Sequence, residues 1–229
     1  MSAPGWTTQD FSTPQIKICG ITVVEDGLAC ASLGADAVGL VFYPNSPRCV
    51  SMNQAADICS SLRGDITKIG VFVDEKYDDI MARVEYCGLT GVQLHGKESP
   101  GLARRLREAG PSVIKALYTN KAPGLDAAEN FADTAFLVEC AGGRLPGGNA
   151  LVWNWGSVRD FGMRHPMILA GGLSPDNVAE AVAAAAPAGV DVSSGVEAAP
   201  GKKDYNKVRD FIHAVRALPC TQYKGRIFG

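Results

Sequence analysis

Short apolar runs, most of them rich in β-branched residues, recur along this chain. Each is followed by a turn and then by a longer segment with helical spacing. The runs are Ile16–Cys19, Ala37–Val41, Thr67–Phe72, Gly91–Leu94, Ser112–Ala116, Thr134–Val138, Met167–Ala170 and Gly189–Val192. They read as continuously apolar rather than alternating, the pattern of a strand buried on both faces in a parallel sheet. Between them, Val24–Leu33, Asn53–Leu62, Tyr77–Tyr86, Pro100–Ala109, Asn177–Ala186 and Asp204–Ala217 read as helices, and Leu125–Phe131 and Trp155–Phe161 as weaker ones. Asp74 or Asp78 is expected to cap the helix at Tyr77. Ser99-Pro100 places a capping side chain before a proline in the first turn, and Ser174-Pro175 is expected to do the same later in the chain.

Parallel strands need crossover connections, and the helices supply them. Eight strand–helix units in about 200–250 residues predict an α/β chain folded as a (β/α)8 TIM barrel. The rival is a doubly wound open sheet. That fold usually carries a glycine fingerprint after its first strand, and here the turn reads Cys19-Gly20-Ile21-Thr22. The units use nearly all of the chain, so a single domain over residues 1–229 is expected, with residues 1–14 and 219–229 as peripheral tails.

Composition narrows the function classes. There are 22 Lys and Arg against 24 Asp and Glu, and this balance leaves no electrostatic footprint for nucleic acid. The seven cysteines are scattered without a CxxC pair, against both a zinc site and a secreted disulfide framework. No signal-peptide pattern opens the chain, and no apolar run approaches the ~20 residues of a membrane span. A cytoplasmic protein without a membrane partner is the expectation.

In such a barrel the active site lies at the C-terminal ends of the strands. That filter selects Cys19, the segment Tyr43 to Arg48, Asp74, His95, Glu139, Gly171-Gly172 and Ser193-Ser194-Gly195. The two small-residue turns follow the last two strands, a frequent phosphate position in these barrels, although Gly-Gly alone is also an ordinary tight turn. Cys19 is either a small buried apolar group or, as a thiolate, a nucleophile or base. His95 either holds neighbouring backbone or transfers protons. Arg48, in a loop stiffened by two prolines, either grips a carboxylate or makes a surface salt bridge. A carboxyl group beside an apolar lining holds its proton more readily than one in water, which suits Glu139 to general acid work.

Read together, these segments resemble the phosphoribosylanthranilate isomerase family of tryptophan biosynthesis. The resemblance rests on Lys17-Ile18-Cys19-Gly20-Ile21-Thr22, Gly39-Leu40-Val41-Phe42 with Ser46-Pro47-Arg48, and Gly70-Val71-Phe72-Val73. It continues through Val92-Gln93-Leu94-His95-Gly96, Leu169-Ala170-Gly171-Gly172-Leu173 and Gly189-Val190-Asp191-Val192-Ser193-Ser194-Gly195-Val196-Glu197. The resemblance implies an Amadori rearrangement of a small phosphorylated substrate, with no cofactor and no metal. It implies Cys19 as general base and a strand-six carboxylic acid as general acid, with Arg48 on the anthranilate carboxylate. It also implies Gly171, Gly172, Ser194 and Gly195 around the phosphate, with His95 and Asp191 supporting. The assembly is expected to be a monomer or a homodimer.

One region departs from the family. Glu139 stands where aspartate is usual, moving the carboxyl by about 1.5 Å, and a misplacement of ~1 Å can cost 10²-fold in rate. Gly147-Gly148-Asn149-Ala150 and Trp153-Asn154-Trp155 replace the usual glycine-rich and Phe-Asp-Trp stretches. The alternative is therefore a barrel that binds a phosphorylated ligand with weakened or lost isomerase activity. A histidine-pathway isomerase on a similar barrel is a third reading, but the resemblance places aspartate after the first strand there, where this chain has Cys19.

Overall fold

The computed structural model describes residues 13–64, 66–132, 134–140, 152–218 and 227–228. Its core is a closed barrel of eight parallel strands in chain order. They are β1 (Gln15–Cys19), β2 (Ala37–Val41), β3 (Thr67–Phe72), β4 (Gly91–Leu94), β5 (Ser112–Tyr118), β6 (Ala135–Glu139), β7 (Met167–Leu169) and β8 (Gly189–Val192). Pairing of Lys17 with Asp191 across β1 and β8 closes the ring. The open-sheet rival is excluded.

Around the barrel lie α1 (Val24–Ser32), α2 (Met52–Ser61), α3 (Tyr77–Cys87), α4 (Pro100–Glu108), α5 (Arg159–Arg164), α6 (Val178–Ala185) and α7 (Tyr205–Arg216). The weak segment Leu125–Asn130 is a 3-10 helix, and Trp155–Val158 is another leading into α5. Ser99 caps α4 by accepting from the Leu102 amide, with Pro100 in the first turn. The other two capping expectations are corrected. Lys76 precedes α3 without a side-chain cap, and Asp74 instead accepts the Lys97 amide at 2.6 Å. Ser174-Pro175 belongs to a turn, and Asn177 holds the position before α6. No helix among the described residues is long and apolar enough to cross a membrane.

Alternate strand residues face the barrel interior. Its lower layers are apolar, with Ile69, Ile114, Leu137 and Ile168 in one cluster. Ile227 and Phe228 belong to the same cluster, so the expected peripheral tail is corrected at these two residues, which are both buried. The Gln15 side chain fixes them. Its Oε1 accepts the amides of Ile227 and Phe228 at 2.6 and 2.9 Å, and its Nε2 donates to the Phe228 carbonyl at 2.8 Å. The upper interior is polar, contrary to the continuously apolar reading of the runs. Lys17, Gln93, Glu139 and Asp191 occupy inward strand positions there, and all but Asp191 are buried.

Candidate active site

The polar upper layer opens into a cleft at the C-terminal mouth. Cys19, Arg48, His95, Glu139, Gly171, Gly172, Asp191, Ser194 and Gly195 all line it, so the strand-end filter and the resemblance converge on one place. Asp74 does not line it. Its backbone has φ 55, its amide donates to Glu98, and it holds the loop after β4.

Cys19 ends β1 opposite Gly39 of β2, and Lys17, two residues earlier on the same face, lies opposite Asp191 of β8. Lys17 is fully buried and donates to Asp191 Oδ1 at 2.7 Å. Burial alone would lower its proton affinity, yet Asp191 and Cys19 outweigh that and raise it above the ordinary lysine value. For Cys19, burial dominates and pushes the thiol up, with the Lys17 charge opposing and Asp191 adding to the rise. A Cβ on Gly39 would come within 2.6 Å of Cys19 Sγ and 3.1 Å of Lys17 Nζ, so the missing side chain makes room for both.

Across the mouth, Glu139 is the last residue of β6 rather than a loop residue, and it is buried. Its Oε1 lies 3.1 Å from His95 Nε2. His95 Nδ1 lies 2.8 Å from Gln93 Nε2. The imidazole therefore bridges the Gln93 amide and the Glu139 carboxyl. The Tyr118 hydroxyl donates to the His95 carbonyl at 3.0 Å and fixes the backbone below.

Arg48 makes an ion pair, but a buried one. Its Nε donates to Glu197 Oε1 at 2.8 Å and its Nη2 to Glu197 Oε2 at 2.7 Å. Lys203 Nζ adds a bond to Glu197 Oε1 at 2.9 Å. Burial would raise the Glu197 carboxyl, but Arg48 and Lys203 together hold it below the usual carboxylate value. The bidentate grip leaves Arg48 Nη1 without a partner among the described residues while the guanidinium lines the cleft.

The two small-residue turns meet on the far side. Gly171 and Gly172 both have positive φ, 85° and 70°, which L side chains rarely adopt, so the glycines are demanded by the backbone. Gly195 lies in the short 3-10 turn Ser194–Val196, and a Cβ there would sit 1.9 Å from the Leu173 carbonyl oxygen. Trp153 and Trp155 donate from their indole nitrogens to the carbonyls of Ala170 and Gly171, at 3.1 and 3.4 Å. The altered stretch Gly147–Ala150 lies outside the described residues.

Sequence reasoning gave no role to Lys17, Gln93, Glu197 or Lys203, and it singled out Ser193 only as part of a small-residue turn. The strand period offered a signal for two of them: Lys17 and Gln93 stand two residues before Cys19 and His95, on the same inward face. Gln93 Oε1 and Ser193 Oγ are buried side-chain atoms on the cleft that lack a hydrogen-bond partner among the described residues. Such atoms suit a polar ligand.

A buried thiol, a buried carboxyl group and glycine turns at the C-terminal mouth of a (β/α)8 barrel define an acid–base enzyme. The family model described as N-(5'phosphoribosyl)anthranilate (PRA) isomerase matches residues 16–214. An N-(5'-phosphoribosyl)anthranilate isomerase of Desulfatibacillum aliphaticivorans is 52% identical over 198 residues, 86% of this chain and 91% of that protein. A crystal structure of phosphoribosyl anthranilate isomerase in complex with reduced 1-(o-carboxyphenylamino)-1-deoxyribulose 5-phosphate aligns with TM-score 0.80 and 37% identity, covering 90% of this chain and all of that one. A structure of monomers of the dimeric enzyme from Thermotoga maritima aligns with TM-score 0.80 and 36% identity at the same coverage. The chain belongs to the N-(5'-phosphoribosyl)anthranilate isomerase family, and it is an isomerase.

Proposed function

We propose that this cleft performs the Amadori rearrangement of N-(5'-phosphoribosyl)anthranilate in tryptophan biosynthesis with Glu139 as general acid and Cys19 as general base. The observation that supports this most is the placing of a buried carboxyl and a buried thiol on one cleft, beside two turns built from obligatory glycines. Glu139 protonates the ribose ring oxygen as the C1–O bond breaks, giving an iminium at C1. The Cys19 thiolate removes the proton from C2, and the electron pair forms the C1–C2 double bond of an enolamine. Tautomerisation then moves the hydroxyl proton to C1 and leaves the C2 ketone. One proton has left Glu139 and one has reached Cys19, and solvent restores both groups between turnovers. His95 holds one oxygen of Glu139 and so directs the acid proton to the other.

Arg48, pre-set by Glu197, presents its remaining nitrogen to the anthranilate carboxylate. The amides of Gly171, Gly172, Ser194 and Gly195 receive the phosphate. Two anchored ends orient the sugar between acid and base, and orientation of this kind lowers barriers substantially. The glutamate in place of aspartate is accommodated by its bond to His95. The reading of a barrel that binds without turnover gains no support, because both proton-transfer groups stand on the cleft. One domain spans the chain, and it works in the cytoplasm as a monomer or homodimer.

Turnover of freshly generated substrate, followed by loss of anthranilate fluorescence, tests the assignment. Cys19→Ala and Glu139→Gln should each lower kcat by about 10²–10⁴-fold. Full activity of Glu139→Gln would remove Glu139 as the acid, and an inactive unmutated protein would overturn the reading as a whole.

A further inference from the structure

We propose that Lys17 is a positioning residue that favours the thiolate form of Cys19 against the effect of burial, with Asp191 fixing the lysine ammonium in place. This rests on the reading of Cys19 as the base.

The geometry comes from strand register. Lys17 and Cys19 are two apart on β1 and face the interior together, and their cross-strand partners are Asp191 on β8 and Gly39 on β2. Glycine at position 39 opens a slot that Cys19 Sγ and Lys17 Nζ share, since a Cβ there would touch both. The ammonium has three donors. One goes to Asp191 Oδ1 at 2.7 Å, and the ammonium borders the same slot as the Cys19 sulfur, where its charge favours the thiolate. Lysine is rarely buried without a purpose that repays its desolvation, and a single carboxylate at the barrel rim is a weak return on stability alone.

The chemistry explains the need. Burial pushes the Cys19 thiol up, the wrong direction for a base. The charges facing the sulfur are Lys17 on its own strand, Asp191 on β8, Lys203 beyond β8, and Arg48 from the loop after β2. Asp191 opposes ionisation, and Lys17 is the strongest influence favouring it. Asp191 therefore has two opposed effects: it repels a thiolate, and it keeps the compensating ammonium charged and aimed. The proton taken from substrate C2 arrives on a sulfur whose anionic form the ammonium has stabilised, so no further group is needed to remove a thiol proton within the step.

The test uses the intact protein and the variants Lys17→Met and Lys17→Arg, with Cys19→Ala as reference. Alkylation of Cys19 by iodoacetamide is followed by peptide mass spectrometry as a function of pH, alongside the pH profile of kcat/KM. With Lys17→Met, the Cys19 alkylation rate at pH 7 should fall about tenfold, and the acid limb of the kcat/KM profile should move up by about one pH unit. Lys17→Arg should restore most of both. A merely structural lysine would change amplitudes without moving either profile. If Lys17→Met does not fold, Lys17→Met with Asp191→Asn removes the unpaired carboxylate, and in that protein Cys19 alkylation should still fall relative to Asp191→Asn alone. Unmoved profiles in a folded Lys17→Met protein, with Cys19→Ala inactive, would overturn the role of Lys17 and leave the base intact. An active Cys19→Ala protein would overturn the base reading and this role with it.

Discussion

Glu197 is neither a base nor a substrate ligand in this reading, yet its neutralisation should be among the most damaging single changes near the cleft. In Glu197→Gln the retained oxygen can still accept from Arg48 Nε and Lys203, now at 2.8 and 2.9 Å. The new amide group, however, faces Arg48 Nη2, a donor that today bonds Oε2 at 2.7 Å, so donor meets donor. Loss of one charge-assisted bond accounts for about 1.5–3 kcal/mol. Arg48 and Lys203, both buried, are then left as two cations on a neutral acceptor. Removing one partner from a buried ion pair destabilises by about 3–5 kcal/mol, and that is the expected total. The measurement is urea unfolding of both proteins at pH 7, with the difference read from the midpoint at constant m. Substrate kinetics supply a second readout: a loosened Arg48 should raise KM by about tenfold or more with a smaller change in kcat. A loss under about 1 kcal/mol, the value of an exposed pair, together with unchanged KM, would refute the claim that Glu197 sets Arg48.

The same carboxylate carries a pH signature. Because its folded value is depressed, its contribution to stability is present above the unfolded value of about 4.3 and is lost as pH falls through the lower folded value. The stability gap between unmutated protein and Glu197→Gln should hold steady near pH 6 and narrow below about pH 4, as urea titrations at each pH would show. Gly195→Ala would drive a Cβ against the Leu173 carbonyl oxygen, now only 1.9 Å from where it would sit. The turn must shift, and kcat/KM for the phosphorylated substrate should drop about 10²-fold, a loss that steady-state assays detect. Phe228→Ala should destabilise by roughly 3 kcal/mol, because the ring is buried at the floor of the barrel. Its kcat and KM at 25 °C should not change, since the floor lies at the opposite end from the cleft.

Much of this molecule was legible in one dimension because the signals are local. Strand and helix periods, the Ser99-Pro100 cap and the glycine turns act within a few residues, and counting eight units led to the barrel. The barrel then located the site, since polar residues at strand ends must gather at one mouth. Glu139 could be placed to within a residue, at the end of β6 rather than just past it. Partnerships between distant segments were not legible. Lys17 meets Asp191 across 174 residues, Arg48 meets Glu197 across 149, and Gln15 meets Phe228 across 213. Each depends on ring closure and on strand register, where a slip of one residue would turn every inward side chain outward. Closure brings the ends of the chain together and puts Asp191 beside the lysine that shares a strand face with Cys19. The residues available for chemistry follow from the sequence, and their charge states and partners follow from the closed ring that buries them.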